Sequence, residues 1–345
     1  MPLAPIVLVL GIALSVSSLS SLSAAAQTAE ERPTRAALDL QGHRGARGLH
    51  PENTLEGFRE SLAMGVTTLE MDAGITSDGV VVVHHDERLS PYIARSAKGR
   101  WIDSPTPALR ELTWAQLEAY DVGRYRPGSA NAARFPEVQG RDGVRIPRLA
   151  DVVAEAERLC AGEIFYNVET KLTPAAPELT VLPAAFADAV VRVMRESGVA
   201  PRTMIQSFDW RTLRHIQQVA PELETACLTR EVKEDDTIQR GRPGSSPWTA
   251  GLDVDDFAGS VPRLVKASGC RVWSPRFEDL AAGEVALSHE LGIRVIPWTV
   301  NEPGKIAAAL DLEVDGIISD HPDRVRAEMQ SRGMPLPPAC PLLAE

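Results

Sequence analysis

The sequence predicts a (β/α)8 barrel, the TIM-barrel fold, with a small insertion after the second strand. From Leu40 onward, short runs with the character of β-strands alternate with amphipathic helical stretches. Eight such runs fall within one chain of 345 residues, a length that suits one large α/β domain. A doubly wound open sheet is the alternative, but no glycine-rich GxGxxG turn follows an early run.

The predicted elements follow in order along the chain. Strands are expected at residues 40–42, 67–72, 163–169, 203–208, 224–229, 270–274, 294–299 and 316–319, and helices at 54–64, 150–160, 182–197, 210–219, 281–291 and 305–310. The turn at 76–79 leads into 80–85, which predicts a hairpin that extends the barrel top. The irregular segments 88–145 and 231–259 are rich in Gly and Pro, as is typical of loops that form a substrate rim.

The N-terminus resembles a secretory signal. An apolar run at residues 6–16 precedes a Ser/Ala-rich stretch, and cleavage is expected after Ala26. The alternative, an uncleaved anchor, is disfavoured because a spanning helix needs about 20 apolar residues. We therefore predict a signal peptide at 1–26, a flexible leader at 27–37, the barrel domain at 38–330 with its insertion at about 86–146, and a Pro-rich tail at 331–345. The protein is expected to be exported, periplasmic or secreted, with no stable membrane span.

The formal net charge of −11 argues against nucleic acid as a partner, because phosphate backbones attract basic surfaces. The sequence leaves the oligomeric state open. Four cysteines allow two disulfides in three pairings, and isolated buried thiols are the alternative. We expect at least one bridge to fasten the tail through its cysteine. The cysteines are Cys160, Cys227, Cys270 and Cys340.

Three carboxylates fall at the ends of neighbouring predicted strands. Glu70 and Asp72 are two residues apart on one strand, so both point to the same side. Glu169 ends the next strand, and adjacent strand ends lie side by side in a barrel. The three could therefore share one divalent cation, and all-oxygen ligation favours Mg²⁺ or Ca²⁺ over zinc. Each carboxylate taken alone could instead be a solvated strand end.

Two histidines flank these carboxylates in the sequence. His43 and His85 are the candidates for proton transfer, because imidazole titrates closest to neutral pH. His84 competes with His85, but neighbours on a strand point to opposite faces and only one can enter the cleft. We choose His85, which directly precedes Asp86, so His84 is expected to pack or face solvent.

Fixed positive charge for a phosphate group is expected from Arg44 and Lys171. Arginine can contact two phosphate oxygens at once. Glu52 stands at a helix start after a proline, and it has two open interpretations. It either holds Arg44 or caps the helix, or it contacts the metal directly.

The ordered motifs resemble those of the glycerophosphodiester phosphodiesterase family over nearly the whole chain, from Gln41 to Asp323. The resemblance implies a TIM barrel and a divalent cation held by Glu70, Asp72 and Glu169, with His43 and His85 as the acid/base pair. It also implies that Trp298 packs against substrate glycerol, although a barrel-top core residue is the alternative. The segment 88–145 departs from the family pattern, so the resemblance does not define the pocket for the alcohol. The motifs are His43-Arg44-Gly45, Pro51-Glu52-Asn53-Thr54, Glu70-Met71-Asp72, His85-Asp86, Glu169-Thr170-Lys171, Gln206-Ser207-Phe208-Asp209 and the stretches 295–301 and 315–323.

We therefore expect metal-dependent hydrolysis of glycerophosphodiesters to glycerol 3-phosphate and an alcohol. One rival is a lysophospholipase D or phospholipase C-like enzyme on the same barrel, which would need an apolar rim for lipid. The other is a non-catalytic phosphate-binding barrel, which could lose a histidine or a carboxylate without penalty. The sequence leaves the choice between Ca²⁺ and Mg²⁺ open.

Overall fold

The computed structural model describes residues 1–3, 38–160 and 162–340. The chain divides into two units, and the fold described below belongs to the second, Pro33–Glu345. The expected signal peptide, apart from its first three residues, and the expected leader lie outside the described residues.

Eight parallel strands form a nearly closed barrel, as the sequence predicts. The strands of the chain are β1 Asp39–Gly42, β2 Thr68–Ile75, β3 Val81–Val83, β4 Phe165–Thr170, β5 Thr203–Ser207, β6 Glu224–Thr229, β7 Glu231–Val232, β8 Asp235–Asp236, β9 Val272–Pro275, β10 Arg294–Val295 and β11 Gly316–Ser319. The eight parallel strands lie around the barrel in the order β10-β9-β6-β5-β4-β2-β1-β11. Strand β3 pairs antiparallel with β2, which confirms the hairpin, while β7 and β8 form a separate two-stranded ribbon.

Separate hydrogen bonds, instead of a regular strand ladder, close the barrel between the segments of β10 and β11. The Asp315 N–H donates to the Val295 carbonyl at 2.9 Å, and the Ile318 N–H donates to the Pro297 carbonyl at 3.0 Å. Regular β10 ends at Val295 instead of the predicted 299, because Pro297 lacks the N–H that a continuous ladder needs. The Trp298 N–H still donates to the Pro275 carbonyl at 3.0 Å, so the chain stays beside β9 up to the barrel top.

Helices surround the barrel. They are α1 Leu55–Met64, α2 Trp114–Leu117, α3 Ala130–Arg134, α4 Leu149–Cys160, α5 Pro183–Glu196, α6 Trp210–Val219, α7 Val261–Ser268, α8 Ala282–Glu290, α9 Pro303–Asp311 and α10 Pro322–Ser331. Four of these helices were not predicted from the sequence: the short α2 and α3, which lie in the segment expected to be irregular, and α7 and α10. Both α7 and α10 have a proline in the first turn, Pro262 and Pro322, where the missing N–H has no intrahelical partner.

The barrel interior has an apolar layer with a polar layer beneath it. The apolar layer lies below Trp298 and consists of Met204, Ala226, Val272, Ile296 and Ile318. At the amino-terminal end of the strands, Asn167 donates to Gln41 at 2.8 Å, and Gln41 donates to Asp39 at 3.0 Å. These layers fill the barrel interior, and in this fold the active site is usually at the carboxyl-terminal face.

The insertion between β3 and α4 carries α2 and α3, and its Leu89 and Ile146 pack in an apolar cluster with Val82 of β3. Two disulfides are present, Cys160–Cys340 and Cys227–Cys270. The first confirms the expected bridge to the tail, and the Cys340 N–H also donates to the Leu62 carbonyl at 2.9 Å. In the described part of the chain, no helix combines the length and apolar character that a membrane span requires.

Candidate active site

The loop after β1 carries the first two predicted site residues. The His43 N–H donates to the Ser319 carbonyl at 2.9 Å, which ties the loop to β11. Arg44 and Gly45 both adopt left-handed backbone conformations, with φ of 50° and 71°. A Cβ at Gly45 would lie 2.8 Å from the backbone of Gly57, so only glycine allows the loop to pack this closely on the start of α1.

The Pro-Glu-Asn-Thr motif begins α1 and joins it to the carboxylates. The Thr54 hydroxyl accepts from the Gly57 N–H at 3.1 Å, a helix N-cap. The Asn53 N–H donates to the Arg44 carbonyl at 2.9 Å, and its side-chain amide donates to Asp72 at 2.9 Å. The motif therefore positions both the arginine loop and a predicted metal ligand.

Glu70, Asp72 and Glu169 converge as predicted. Asp72 and Glu169 are partners in the β2–β4 register, and one oxygen from each of the three carboxylates lies within 4.8 Å of the others. All three residues are buried. One Asp72 oxygen and the side-chain oxygen of Gln206 are also buried without a hydrogen-bond partner. Unpaired buried oxygens beside three carboxylates fit a hard divalent cation.

The electrostatics of this triad agree with that fit. Burial, together with the charges of Asp72 and Glu169, raises the pKa of Glu70 well above its usual range. Burial also raises the pKa of Glu169, against the opposing charge of Lys171. For Asp72, burial alone would raise the pKa, but Arg44 and Lys171 outweigh it and hold the pKa well below the usual range. The triad thus carries more negative charge than its protein neighbours balance.

His43 is held by a buried carboxylate to which the sequence analysis assigned no role. Its Nδ1 lies 2.5 Å from Asp320, which also accepts from Arg47 Nε at 2.6 Å and from Asn301 Nδ2 at 2.7 Å. Burial, with Arg47 next, lowers the pKa of His43 to about 4. Since ionised Asp320 accepts the Nδ1 proton, Nε2 is left as a base. That atom lies 3.9 Å from Glu70.

His85 has an equivalent arrangement on the other side of the triad. Its Nδ1 lies 2.6 Å from Asp86, and its Nε2 lies 3.1 Å from the ammonium of Lys171. Burial, followed by the charges of Arg44 and Lys171, lowers the pKa of His85 to about 4. His84 is buried away from this group, with Nε2 at 3.4 Å from the Arg88 carbonyl, so His85 is the neighbour that reaches the cleft.

The predicted phosphate-binding cations lie against the carboxylates. Arg44 Nη1 donates to Glu52 at 3.0 Å, and its Nε lies 3.1 Å from Asp72. Glu52 is absent from the converging triad, so its contacts favour the interpretation that it holds Arg44. Lys171 donates to Glu169 at 2.7 Å, and Glu169 and Asp72 raise its pKa against the effect of burial.

These groups open into a cleft of about 680 Å³ at the carboxyl-terminal face of the barrel. Trp298 lies in its wall, where the ring meets Phe208 edge to face at 5.4 Å between centroids. The Trp298 indole N–H donates to the Ser274 carbonyl at 3.0 Å. The indole therefore faces the cleft on one side and covers the apolar layer of the barrel on the other, so both of its expected environments are present.

Four further residues complete the site, and the sequence analysis gave them no role although three lie within the quoted motifs. Asn53 and Gln206 bind the triad carboxylates, the latter by donating to Glu70 at 2.8 Å. Arg47 and Asp320 orient His43. A signal was present for Gln206 and Asp320, since each is a polar residue at the carboxyl end of a barrel strand. Arg47 follows a loop whose path the pattern did not predict.

Comparison with known proteins assigns the fold and its motifs to one group. Residues 43–324 match the sequence profile of the glycerophosphoryl diester phosphodiesterase family. The glycerophosphodiester phosphodiesterase of Caldanaerobacter subterraneus is 25% identical over 287 residues, covering 81% of this chain and 93% of that protein.

Solved structures agree with that match. One from Silicibacter pomeroyi, assigned by inference to the glycerophosphoryl diester phosphodiesterases, is 34% identical with a TM-score of 0.77 and covers 88% of this chain and 96% of its own. An Oleispira antarctica phosphodiesterase in complex with the product sn-glycerol-3-phosphate shares the fold, with 17% identity, a TM-score of 0.61 and coverage of 85% and 96%.

Proposed function

The chain belongs to the glycerophosphoryl diester phosphodiesterase family, and on this basis we propose that it hydrolyses glycerophosphodiesters to glycerol 3-phosphate and an alcohol. One observation carries the proposal. Two imidazoles, each bound through Nδ1 by a carboxylate, flank three converging carboxylates. This arrangement suits a reaction in which one group removes a proton and another returns one to a leaving oxygen.

Glu70, Asp72 and Glu169 would hold the divalent cation, Mg²⁺ or Ca²⁺, since all three offer oxygen ligands. When bound, such a cation supplies Lewis-acid polarisation of a phosphoryl oxygen. Arg44 and Lys171 would contact the phosphate oxygens and stabilise the charge that develops on them. Their positive charge attracts the phosphate locally, whereas the overall charge of −11 would by itself repel an anionic substrate.

His43 acts as the base in this proposal. Its free Nε2 would accept a proton from water or from the hydroxyl next to the phosphate on the substrate glycerol. The second route passes through a cyclic phosphate that water then opens. Time-resolved ³¹P NMR of the wild-type reaction separates the two routes, because only the second produces a cyclic phosphate signal.

His85 protonates the leaving alkoxide. In the substrate-free site its Nε2 accepts from Lys171 at 3.1 Å, and its low pKa favours the neutral form. After burial, the charges of Arg44 and Lys171 are the next causes of this low pKa, and a phosphodiester anion bound between them would oppose their effect. We therefore infer that substrate binding shifts the pKa of His85 upward and favours the protonated form that an acid requires.

The test is glycerol 3-phosphate release from glycerophosphocholine by the chain from Gln27 onward, with EDTA and then with Mg²⁺ or Ca²⁺ restored. We expect turnover only with metal. His43→Ala and His85→Ala should each lower kcat by about 10²–10⁴-fold, whereas His289→Ala, on the exposed face of α8, serves as the matched control. Metal-independent turnover would contradict the cation's role, and near-wild-type kcat in either site variant would contradict that histidine's role.

Lipid-directed chemistry on the same barrel is the rival. Of the exposed large apolar side chains in the described residues, Tyr92 is the one that lines the cleft. A rim of this kind supports a small polar substrate, since acyl chains are bound by contiguous apolar surface. Assaying lysophosphatidylcholine beside glycerophosphocholine compares the two substrates directly.

Export is also part of the proposal. Two disulfides join the cysteines, and disulfides persist in oxidising compartments such as the periplasm and the exterior. A fusion of residues 1–26 to alkaline phosphatase, compared with the same fusion lacking 6–16, measures whether the segment directs export. Equal activity of the two fusions would count against it.

A further inference from the structure

A second groove, of about 620 Å³, adjoins the catalytic cleft. The two cavities share part of their walls, so they form one continuous depression across the barrel top. The shared residues are Arg134, Arg230, Asp235, Trp298 and Thr299.

The second groove is lined by many charged side chains. Cations outnumber carboxylates by five to four, and most of the cations are paired: Arg324 lies 3.0 Å from Glu137, and Lys305 lies 2.6 Å from Glu278. Arg134 differs. Among the described residues, the carboxylate within reach of its guanidinium is Asp320, at 4.0 Å. The cations are Arg134, Arg230, Arg276, Lys305 and Arg324.

Arg134 is held in place at the junction of the two cavities. It is the last residue of α3, and its guanidinium lies over the ring of Phe135 at 5.1 Å. That buried ring also stacks against Tyr125 at 5.7 Å and lies under Arg47 at 4.9 Å. The Arg134 side chain is 59% exposed, so its charge remains available to a ligand.

The contact with Asp320 places Arg134 on the His43 side of the catalytic cleft. In the proposed function, on which this inference rests, His43 is the base beside the glycerol and His85 lies beside the leaving alcohol. The second groove therefore continues from the glycerol side, past Trp298. A substrate bound in this orientation would direct the glycerol hydroxyl farthest from the scissile phosphate toward this groove.

We propose that Arg134 and the second groove bind a second phosphate carried on that distal glycerol hydroxyl. Such a phosphate would meet an exposed cation whose contact with Asp320 is long, at 4.0 Å, together with an excess of one cation over carboxylates along the groove. An acyl chain on the same hydroxyl would instead meet charged side chains and lose their hydration without gaining apolar contact. The preferred substrates are therefore glycerophosphodiesters with a further phosphate on the retained glycerol.

The test uses three substrates that share the choline leaving group and differ only at the distal hydroxyl, which is free, phosphorylated or acylated with laurate. We measure kcat/KM for each with saturating metal. The phosphorylated substrate is expected to be preferred over glycerophosphocholine by about fivefold, the effect of one partly exposed charge pair. The preference should diminish as salt is raised, because salt screens exposed charges.

Substitutions assign the preference to the groove. Arg134→Gln should abolish it, and Arg134→Lys should retain most of it, since the charge is kept. Arg145→Gln is the matched control, an exposed arginine of the same insertion that lines neither cavity. A preference that persists in Arg134→Gln would overturn the assignment to this residue.

The outcomes separate this inference from the function beneath it. Turnover of glycerophosphocholine with no preference for the phosphorylated substrate would overturn the inference and leave the proposed function standing. Preference for the acylated substrate would overturn it in favour of the lipid rival. Failure of folded, metal-supplied protein to cleave any of the three would reject the proposed function itself, and the inference with it.

Two sources could present such a phosphate: a small glycerol bisphosphate ester, or the interior of a glycerol phosphate polymer. A defined oligomer of glycerol phosphate distinguishes them. Internal cleavage products would support the polymer, whereas release of glycerol 3-phosphate from one end alone would rule the polymer interior out and leave the small ester.

Discussion

Replacing Asp320 with asparagine tests whether this carboxylate keeps His43 in the form of a base. Three donors converge on the carboxylate: His43 Nδ1 and Arg47 Nε on one oxygen, and Asn301 Nδ2 on the other. An asparagine has the same shape but must direct its NH₂ group at one of these donors. If it faces His43, the imidazole must carry its proton on Nε2, where it can no longer accept one.

The expected loss follows from that change. Removal of general-base catalysis lowers kcat by about 10²–10⁴-fold, equivalent to about 3–5 kcal/mol in the barrier. If the NH₂ group faces Asn301 instead, a buried donor loses its partner at a cost of about 1–3 kcal/mol. The loss should then appear mainly in stability, so kcat and the free energy of unfolding must be measured on the same variant.

The assay is steady-state cleavage of glycerophosphocholine with saturating metal, together with thermal and denaturant unfolding. Asp323→Asn, an exposed carboxylate three residues further along, is the control. In a His43→Ala background, Asp320→Asn should cause little further loss of kcat, since it acts through His43. A folded Asp320→Asn variant with kcat within about threefold of wild type would refute this reasoning, as would full multiplicative loss in the double variant.

The same substitution should also change the pH dependence of stability. Burial alone would raise the pKa of Asp320, but Arg47 and His43 hold it well below its usual range. Because the folded-state pKa is depressed, the stabilisation is present above the unfolded pKa of about 3.9 and is lost as pH falls below it. Asp320→Asn should therefore be less stable than wild type at pH 7, and the two should converge in acid.

Three further predictions concern other parts of the molecule. Glu70→Gln should stabilise the metal-free protein at pH 8, because the raised pKa of Glu70 makes the folded state lose stability as pH rises above about 4.3; unchanged melting temperature in EDTA would contradict this. Lys171→Met should lower kcat/KM by about 10²-fold or more and raise the pKa of His85 in ¹⁵N NMR titrations; an unmoved His85 pKa would show that Lys171 does not depress it. Replacing Cys160 and Cys340 together with serine should lower the unfolding free energy by about 2–4 kcal/mol and leave kcat unchanged; a large loss of kcat would show that the tail bridge supports the site.

Local sequence patterns account for much of the site. Residues two apart on a strand share a face, so the pairing of Glu70 with Asp72 was predictable, and parallel strand ends meet, which added Glu169. The carboxylate inferences succeed because strand geometry fixes side-chain direction within a few residues, whatever the rest of the chain does. The choice of His85 over His84 agrees with the structure for a different reason, because β3 ends at Val83 and both histidines lie in the loop that follows it.

Contacts between distant segments required the tertiary structure. Asp320 and His43 are 277 residues apart, and Gln206 and Glu70 are 136 apart. Their pairing depends on the register in which β11 and β5 join the barrel, which no local pattern encodes. The disulfide pairing was open among three choices for the same reason.

The sequence by itself determined the barrel, the carboxylate triad and the two flanking imidazoles, because each depends on short-range alternation and on motifs placed at strand ends. Tertiary structure alone decided how His43 is oriented, what Glu52 holds and where the second groove runs. His43 and Asp320 come from opposite ends of the chain, and closure of the barrel brings them within hydrogen-bonding distance. Glu52 and Arg44 are only eight residues apart, but their contact depends on how the loop after β1 packs against the start of α1.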